Sequence, residues 1–376
     1  MNCLCDKKII NSEEELMKEY LEREKLDYTL SENDISYLKN KKVLVTGGGG
    51  AIGSHLVRQL TELGVSKILV LDNHENGLYD VKRYFKNHIE DKELLHCLLG
   101  DIRDKNYIEN IIKTLRPDII FHYANYKSAA LGNFYPREFI KVNIEGTINL
   151  LKAGRDAGIE KFIFISSDKA EQPSQSYGRT KRACEILISI ILRNTGVKYG
   201  AMRYCNVLDS KGSFAIPTFR EQILKGLPVT VRKVGDSEIP KRYFIKKGTA
   251  VKLALKVGSL CNKGEIFSIN KEIINSIYID DVVKIIAKNL QIEDVEDWFH
   301  ENVKYINGEK GEKVKEHLGK GIEVVDTPLI KIDKPFTTKE KIFISAIDKL
   351  MMDVNQCKID ISNSYLEKKL SDLELD

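Results

Sequence analysis

No apolar run in this chain approaches the ~18 residues that a bilayer-spanning helix requires; the longest lies near Ile186 to Leu192. A membrane span is therefore not expected. The amino terminus has no signal-peptide core, so a cytoplasmic protein is expected. Cysteine is sparse and unpatterned: seven residues, an odd number, without a repeated spacing. That excludes a disulfide framework and points to a reducing compartment. Cys3-x-Cys5 lacks a matching second pair and reads as structural or incidental rather than zinc-binding, so no metal is expected. The net charge is only +4, and no basic stripe is interleaved with aromatics, which argues against a nucleic-acid partner. Runs such as Lys39 to Lys42 read as solvated faces. Internal repeats and low-complexity segments are also absent.

What is present is a chain of 376 residues, longer than one core usually supports, so a large domain with a smaller appendage is expected. Residues 1–40 are charged, with Leu16, Tyr20, Leu21 and Leu26 spaced for one apolar helical stripe. They read as an arm packing on the main domain or on another subunit. Between residues 41 and 204, strands alternate with helices, which predicts an α/β, Rossmann-type, doubly wound parallel sheet. The expected strands are Val43 onward, Lys67 to Leu71, Leu94 to Leu99, Ile119 to Tyr123, Lys161 to Ile165 and Lys198 to Tyr204. Residues 205–376 are expected to form a smaller C-terminal α/β substrate-binding region interleaved with the sheet domain. Its expected elements are helices over Ser213 to Lys225, Lys247 to Val257 and Ile277 to Leu290, and strands over Val229 to Arg232 and Glu265 to Ile269. After residue 292 the apolar runs are short and give no clear elements.

The first strand is followed by Gly47-x-x-Gly50-x-x-Gly53 and a helical run from His55 to Leu63. Glycines there permit a tight turn, close approach to a pyrophosphate and close packing of helix on strand, with the helix amino terminus facing the phosphates. Ile52 belongs to the same loop. Asp72 ends the second strand about twenty residues later. Its carboxylate would accept hydrogen bonds from a ribose 2′-hydroxyl and repel a 2′-phosphate, which favours NAD over NADP; the alternative role is a helix cap. Asp101 and Ile102 follow the third strand at the level of the adenine, and Ala124 follows the fourth beside the nicotinamide ribose.

The fifth strand ends in Ser166, Ser167, Asp168 and Lys169, at the carboxyl end where ligands sit in such sheets. Pro173 closes a turn, and a helix from Ser174 to about Arg193 places Tyr177 and Lys181 at i and i+4 on one face. A tyrosine with a pKa near ~10 needs a shift of about three units, roughly 4 kcal/mol, to act as a base near neutrality. An ammonium about 4 Å away supplies about that much at an effective dielectric near 20. Ser167, Tyr177 and Lys181 therefore read as hydroxyl-to-ketone chemistry, with Tyr177 and Lys181 also touching the cofactor.

On these residues the chain resembles the extended short-chain dehydrogenase/reductases, and within them the UDP-N-acetylglucosamine 4,6-dehydratases. The likeness runs from about Leu21 to Leu318. Val43-Leu-Val-Thr-Gly resembles the family's cofactor loop, and His122-x-Ala124-x-x-Lys127 its segment after the fourth strand. Ser167-Asp-Lys-Ala170 with Tyr177-Gly-Arg-Thr-Lys181 resembles its catalytic signature. Arg203-Tyr-Cys-Asn-Val207, Arg242-Tyr-Phe-Ile245 and Gly311-Glu-Lys-Val-Lys-Glu316 echo its substrate-domain motifs.

The resemblance implies that Tyr177, poised by Lys181 and assisted by Ser167, takes the proton of the sugar 4-hydroxyl while hydride passes to NAD. Lys169 then removes the carbon 5 proton, Asp168 protonates the departing 6-hydroxyl, and hydride returns to carbon 6. The alternatives are a 4- or 5-epimerase on the same scaffold or a non-catalytic NAD or nucleotide-sugar sensor; elimination needs both an acid and a base, whereas a simple 4-epimerase needs no such pair and a sensor needs no proton-transfer groups. Lys127, Asn206, Arg242 and Lys313 are implied substrate contacts, with amide and cationic donors suited to uracil and diphosphate oxygens. A homo-oligomer is also implied. The segments Tyr20-Leu-Glu-Arg23, Tyr37-Leu-Lys-Asn40, Asp72 to Tyr79 and Arg242 to Ile245 resemble the branch that retains carbon 5, although that branch commonly has methionine at the Tyr177 position. The chain departs from the family at Ser128-Ala-Ala130, where His-Val-Pro is usual, at Glu309-Lys-Gly-Glu-Lys313, where Arg-Pro-Gly-Glu-Lys is usual, and at Cys205, where glycine is usual.

Overall fold

Apolar runs between turns rich in glycine and aspartate build one sheet in the computed structural model, which describes residues 12–23, 26, 28–210, 215–235, 237–332, 340–355 and 363–373. Cys3, Cys5 and the start of the helix expected from Ser213 lie outside the described residues. Strands β1 (Lys42–Thr46), β2 (Lys67–Asp72), β3 (Leu95–Leu99), β4 (Ile119–His122), β5 (Lys161–Ser167) and β6 (Lys198–Tyr204) run parallel in the order 3-2-1-4-5-6. β1, β2 and β4 differ from the expected bounds by one residue at an end, and two further differences have a local cause. β3 starts after a 3-10 turn, Lys92–Leu94, capped by Asp91, and β5 continues to Ser167, where Ser167 pairs with Tyr204. The strand order reverses between β1 and β4, where open α/β sheets form their ligand crevice.

Successive residues point to opposite faces, and both faces are dry. On one, Leu44, Leu69, Ile120, Phe162 and Phe164 meet the helices Lys105–Leu115, Gly146–Ala157 and Ser176–Leu192. On the other, Val43, Val45, Ile68, Phe121 and Ile163 meet the helices Ala51–Leu60, Glu75–His88 and Lys247–Leu260. Each fully buried side chain of this kind contributes about 1.5–3 kcal/mol.

Beyond Tyr204 the chain alternates between this sheet and a second cluster. The strand Lys263–Ile269 lies parallel beside β6, and Leu329–Ile332 and Gly321–Glu323 add antiparallel beyond it. Ile216, Phe219, Val229, Phe244, Val282 and Ile286 form the separate cluster, where Val229–Lys233 pairs with Val303–Asn307. The amino-terminal stripe packs there, on its own chain. Leu16, Tyr20 and Leu21 join that cluster, the Tyr20 ring meets Phe244 edge-on, and the Tyr20 hydroxyl donates to the Asn275 carbonyl at 2.7 Å. Leu26 instead joins the sheet core. The helices Glu340–Asn355 and Asn363–Ser371 return to the sheet's first face through Phe343, Ile347, Leu350, Leu366 and Leu370.

One buried charge ties three of these elements together. Arg203 of β6 is fully buried. Its Nε and Nη2 donate to Glu185 Oε1 and Oε2, both at 2.7 Å, and Nη1 pairs with Glu171. Glu185 lies on the helix Ser176–Leu192 and also accepts from Ser166 Oγ at 2.6 Å. Removing one member of a buried pair strands the others in a low-dielectric site. Arg203→Met is therefore expected to lower stability by about 3–5 kcal/mol, read from urea unfolding.

Candidate functional site

The turn after β1 is shaped by glycine. Gly47 adopts φ +69°, and a Cβ there would lie 2.6 Å from the Ala124 nitrogen, so only glycine lets the end of β4 approach the loop. A Cβ on Gly53 would lie 2.3 Å from the Gly47 carbonyl oxygen, so the helix closes directly on the turn. No side chain caps that helix at Gly50, which leaves its first N–H groups free for an anion. Asp72 braces the loop from β2: Oδ2 accepts from the Gly49 nitrogen at 2.9 Å and Oδ1 from the His74 nitrogen at 2.9 Å. The capping role considered for Asp72 belongs to His74, whose Nδ1 accepts from the Gly77 nitrogen at 3.0 Å. Asp101 is held by Arg103 Nη2 at 2.7 Å and Asn73 Nδ2 at 3.1 Å. Burial alone would raise its carboxyl, and these bonds hold it below the usual range. Ile102 is buried against Gly146, and Ile52 is half-buried beside the glycines.

Beneath the crevice, His122 of the His-x-Ala-x-x-Lys segment serves as a polar pin, a role its motif does not announce. His122 is fully buried, with Nδ1 2.7 Å from Thr46 Oγ1 and Nε2 2.9 Å from Thr147 Oγ1. Burial, with the Lys181 charge, pushes its pKa down to about 3. Asn143, on a π-helical turn (Ile140–Glu145), bonds both main-chain groups of Tyr126 and Thr180 Oγ1. It thereby fixes the segment after β4 against the helix Ser176–Leu192.

Ser167 closes β5, Asp168–Ala170 form a 3-10 turn, and the helix bearing Tyr177 starts at Ser176. A Cβ on Gly178 would lie 2.2 Å from the Lys169 carbonyl oxygen, so glycine lets this helix abut the turn. Ser167 Oγ donates to Asp168 Oδ1 at 2.9 Å, and Lys169 Nζ donates to the same oxygen at 3.1 Å. Asp168 is fully buried and its Oδ2 has no hydrogen-bond partner. Burial raises the Asp168 carboxyl against the opposing Lys169 charge. Burial would lower Lys169, yet Asp168 and Glu316 hold it above the usual lysine range.

The structure departs from expectation at Lys181. Its Nζ donates to the Ile165 carbonyl at 2.7 Å and lies 4.7 Å from the Phe164 ring centroid, and burial lowers its pKa to about 8. The ammonium that acts on Tyr177 is that of Lys169. Burial raises the Tyr177 phenol, and the Lys169 charge and a Ser167 hydrogen bond only partly offset it. The reason is directional: the lysine at i+4 finds a strand-end carbonyl before it finds the phenol.

The segment 309–316 supplies the far wall. Lys313 Nζ donates to the Glu171 carbonyl at 2.7 Å, and Arg242 donates to Glu312 Oε1 at 2.9 Å and to the Lys313 carbonyl at 2.9 Å. Glu316, not singled out from sequence, is buried with Oε1 3.7 Å from Lys169 Nζ and Oε2 3.7 Å from Lys313 Nζ. Ser167, Asp168, Lys169, Tyr177, Lys313 and Arg242 thus surround one centre. Lys127 and Asn206 are bonded elsewhere: Lys127 Nζ to the Ser210 carbonyl and hydroxyl, and Asn206 Nδ2 to the Tyr243 carbonyl at 2.9 Å.

Residues 43–333 match a family described as "Polysaccharide biosynthesis protein". Among relatives, an uncharacterized membrane protein of Methanocaldococcus jannaschii is 35% identical over 76% of this chain and 82% of its own. The probable polysaccharide biosynthesis protein EpsC of Bacillus subtilis is 35% identical over 70% of this chain but only 42% of its own length. An inverting UDP-N-acetylglucosamine 4,6-dehydratase of Campylobacter jejuni is 31% identical over 66% and 72%. Among solved structures, Pen from Bacillus thuringiensis has a TM-score of 0.66 at 25% identity, covering 75% of this chain and 84% of that one. A UDP-glucose 4-epimerase of Thermotoga maritima with UDP-glucose has 0.60 at 26%, covering 74% and 89%. No helix among the described residues is long and apolar enough to cross a membrane.

The His122 pin has a pH signature. The unfolded imidazole takes a proton below its ordinary value of 6.5, whereas the folded one resists until about 3. Its contribution is complete above 6.5 and is lost as pH falls toward 3. His122→Gln is expected to flatten the acid side of the stability profile within that window, measured as the urea midpoint against pH.

Proposed function

Because the chain belongs to the polysaccharide biosynthesis protein family, within the extended short-chain dehydrogenase/reductases, we propose that it is an NAD-dependent nucleotide-sugar 4,6-dehydratase. The proposed substrate is UDP-N-acetylglucosamine, and the proposed product is the 4-keto-6-deoxy sugar with carbon 5 retained. The observation that carries this reading is the pair formed by buried Asp168 and half-buried Lys169, 3.1 Å apart, beside Tyr177. Elimination of water needs an acid and a base close together, and 4-epimerisation does not.

The crevice fits NAD: glycine at 47 and 53 lets the turn close tightly on Ala124 and on the helix, where a Cβ would strike backbone, the helix start at Gly50 is uncapped, and Asp72 stands at the end of β2. Gly47, Gly50, Ile52, Gly53, Asp72, Asp101, Ile102 and Ala124 would hold it. When bound, NAD supplies reversible oxidation at carbon 4. Tyr177 takes the 4-hydroxyl proton as its phenolate, a form that burial opposes and that the Lys169 charge and the Ser167 hydrogen bond favour, with Lys181 fixing the helix to the end of β5. The resulting ketone acidifies the carbon 5 proton, which Lys169 removes. Asp168, kept toward its neutral form by burial, gives its proton to the departing 6-hydroxyl. Arg242 and Lys313 are the proposed cationic contacts for the diphosphate oxygens.

Three outcomes test this. Gly53→Ala is expected to lower stability by about 1–3 kcal/mol, read from urea unfolding, and to weaken NAD binding, read by titration calorimetry. Lys169→Ala and Tyr177→Phe are each expected to lower turnover by about 10²–10⁴-fold, Lys169→Ala with NAD affinity kept. In deuterated water with UDP-N-acetylglucosamine and NAD, magnetic resonance should show a 6-deoxy-4-keto sugar carrying deuterium at carbon 5, whose ring couplings report retention. Epimerisation with oxygen kept at carbon 6 would replace this reading with a 4- or 5-epimerase.

A further inference from the structure

The role given to Lys169 meets an obstacle in its surroundings. An ammonium cannot accept a proton, and Lys169 Nζ faces two carboxylates, Asp168 Oδ1 at 3.1 Å and Glu316 Oε1 at 3.7 Å, with Arg242 and Tyr177 also within its field. Before Lys169 can take the carbon 5 proton, its own extra proton must move to a neighbour. Asp168 is the wrong recipient: it already receives hydrogen bonds from Ser167 Oγ and Lys169 Nζ, and its acidic proton is needed at the leaving hydroxyl. Glu316 is the other carboxylate within reach. It is 4% exposed, and its Oε2 makes no close hydrogen bond, the Lys313 ammonium standing 3.7 Å away. Its surroundings are the cations Lys169, Arg242 and Lys313.

We propose that Glu316 is the proton acceptor that frees Lys169: a positioning residue that acts through the lysine rather than on the sugar. This rests on the dehydratase reading above. The balance is as follows. The Lys169 ammonium gives one proton to the Glu316 carboxylate, leaving a neutral amine and a neutral acid. The amine takes the carbon 5 proton as the Asp168 carboxylic acid protonates the 6-hydroxyl, which leaves as water. When carbon 5 is reprotonated from Lys169, Glu316 returns its proton to the lysine. The 4-hydroxyl proton on Tyr177 passes back through Ser167 to restore Asp168.

Without substrate the opposed charges hold Lys169 protonated and Glu316 ionised, so the transfer waits on desolvation by the sugar. Desolvation is the largest influence on both Lys169 and Glu316, and in each it works against the charged form. A sugar that displaces the remaining water moves the pair toward amine and acid.

The test compares wild type, Glu316→Gln and Glu316→Asp. Glu316→Gln should lower kcat and carbon 5 deuterium exchange by about 10²-fold or more, with KM changed less than about threefold. Oxidation at carbon 4, read as nicotinamide absorbance in a single turnover, should persist. Its residual rate should climb with pH into the alkaline range, because Lys169 must then lose its proton to solvent, and Glu316→Asp should restore part of the exchange. Wild-type exchange in Glu316→Gln would overturn the proposal, as would equal loss of oxidation and exchange. If wild type itself leaves the sugar unchanged, the dehydratase reading fails instead. The Lys169 titration, followed on carbon-13-methylated protein and assigned with Lys169→Arg, then decides the coupling. A midpoint that falls in Glu316→Gln supports it, and an unchanged one overturns it.

Discussion

The site depends on a guanidinium that never meets solvent. Arg203 carries five donors in a fixed plane, and it uses them to join β6, the helix Ser176–Leu192 and the segment just past the Asp168–Ala170 turn. A buried ion set of this kind adds little net stability over an apolar substitute. What it secures is relative position, because the fork fits its carboxylates in one arrangement. Glu171 transmits that position onward, since its main-chain oxygen accepts from Lys313. The far wall is thus indexed to the strand that ends in Ser167.

Burial then acts on every protic group so placed. Lys181 is lowered toward neutrality, Tyr177 is raised, and Asp168 is raised, so each is drawn toward its uncharged form. Lys169 and Glu316 depart from this only because each lies against opposite charge. Groups brought toward neutrality inside a dry crevice exchange protons at small cost, which general acid–base chemistry requires. The same burial keeps His122 neutral, where it serves as a pin between two threonine hydroxyls and not as a titrating group.

What could be read from sequence was whatever lies contiguous in the chain. Gly47, Gly50 and Gly53 lie within one turn, and Ser167 to Lys181 within one strand end and helix start, so local rules reached them. The strands and their parallel, doubly wound sheet followed from alternation and the apolar runs, whereas their order across the sheet is set by the pairing in the fold. What escaped was set by contacts across long separations. Glu316 meets Lys169 nearly 150 residues away in sequence, and Glu185 becomes an Arg203 ligand only when β6 lies beside that helix. The strand Leu329–Ile332 is four residues long, too short to announce itself without the neighbour it pairs with. Lys181 shows the limit of local geometry: the i+4 spacing was right, but the strand-end carbonyl of Ile165 claimed the ammonium. Lys127 and Asn206 sat in recognised segments, yet their bonds run to Ser210 and Tyr243.

The departure at residues 309–313 is explained by which atoms do the holding. The Lys310 carbonyl accepts from Asn133 Nδ2 and Gln175 Nε2, each at 3.1 Å, and the Gly311 carbonyl accepts from Ser174 Oγ at 2.6 Å. Main chain, not side chain, closes this segment on the turn before Tyr177. Gly311 adopts φ +75°, and a Cβ there would lie 2.7 Å from the Ser174 carbonyl oxygen, so the glycine is required where its two predecessors are not. Those predecessors point outward to partners of their own, Glu309 to Arg232 at 2.9 Å and Lys310 to Glu367 at 3.1 Å. Exchange of side chains at 309 and 310 therefore leaves the closure intact, whereas Glu312, Lys313 and Glu316 face Arg242, Glu171 and Lys169. The segment separates into an outer part free to vary and an inner part bound to the chemistry.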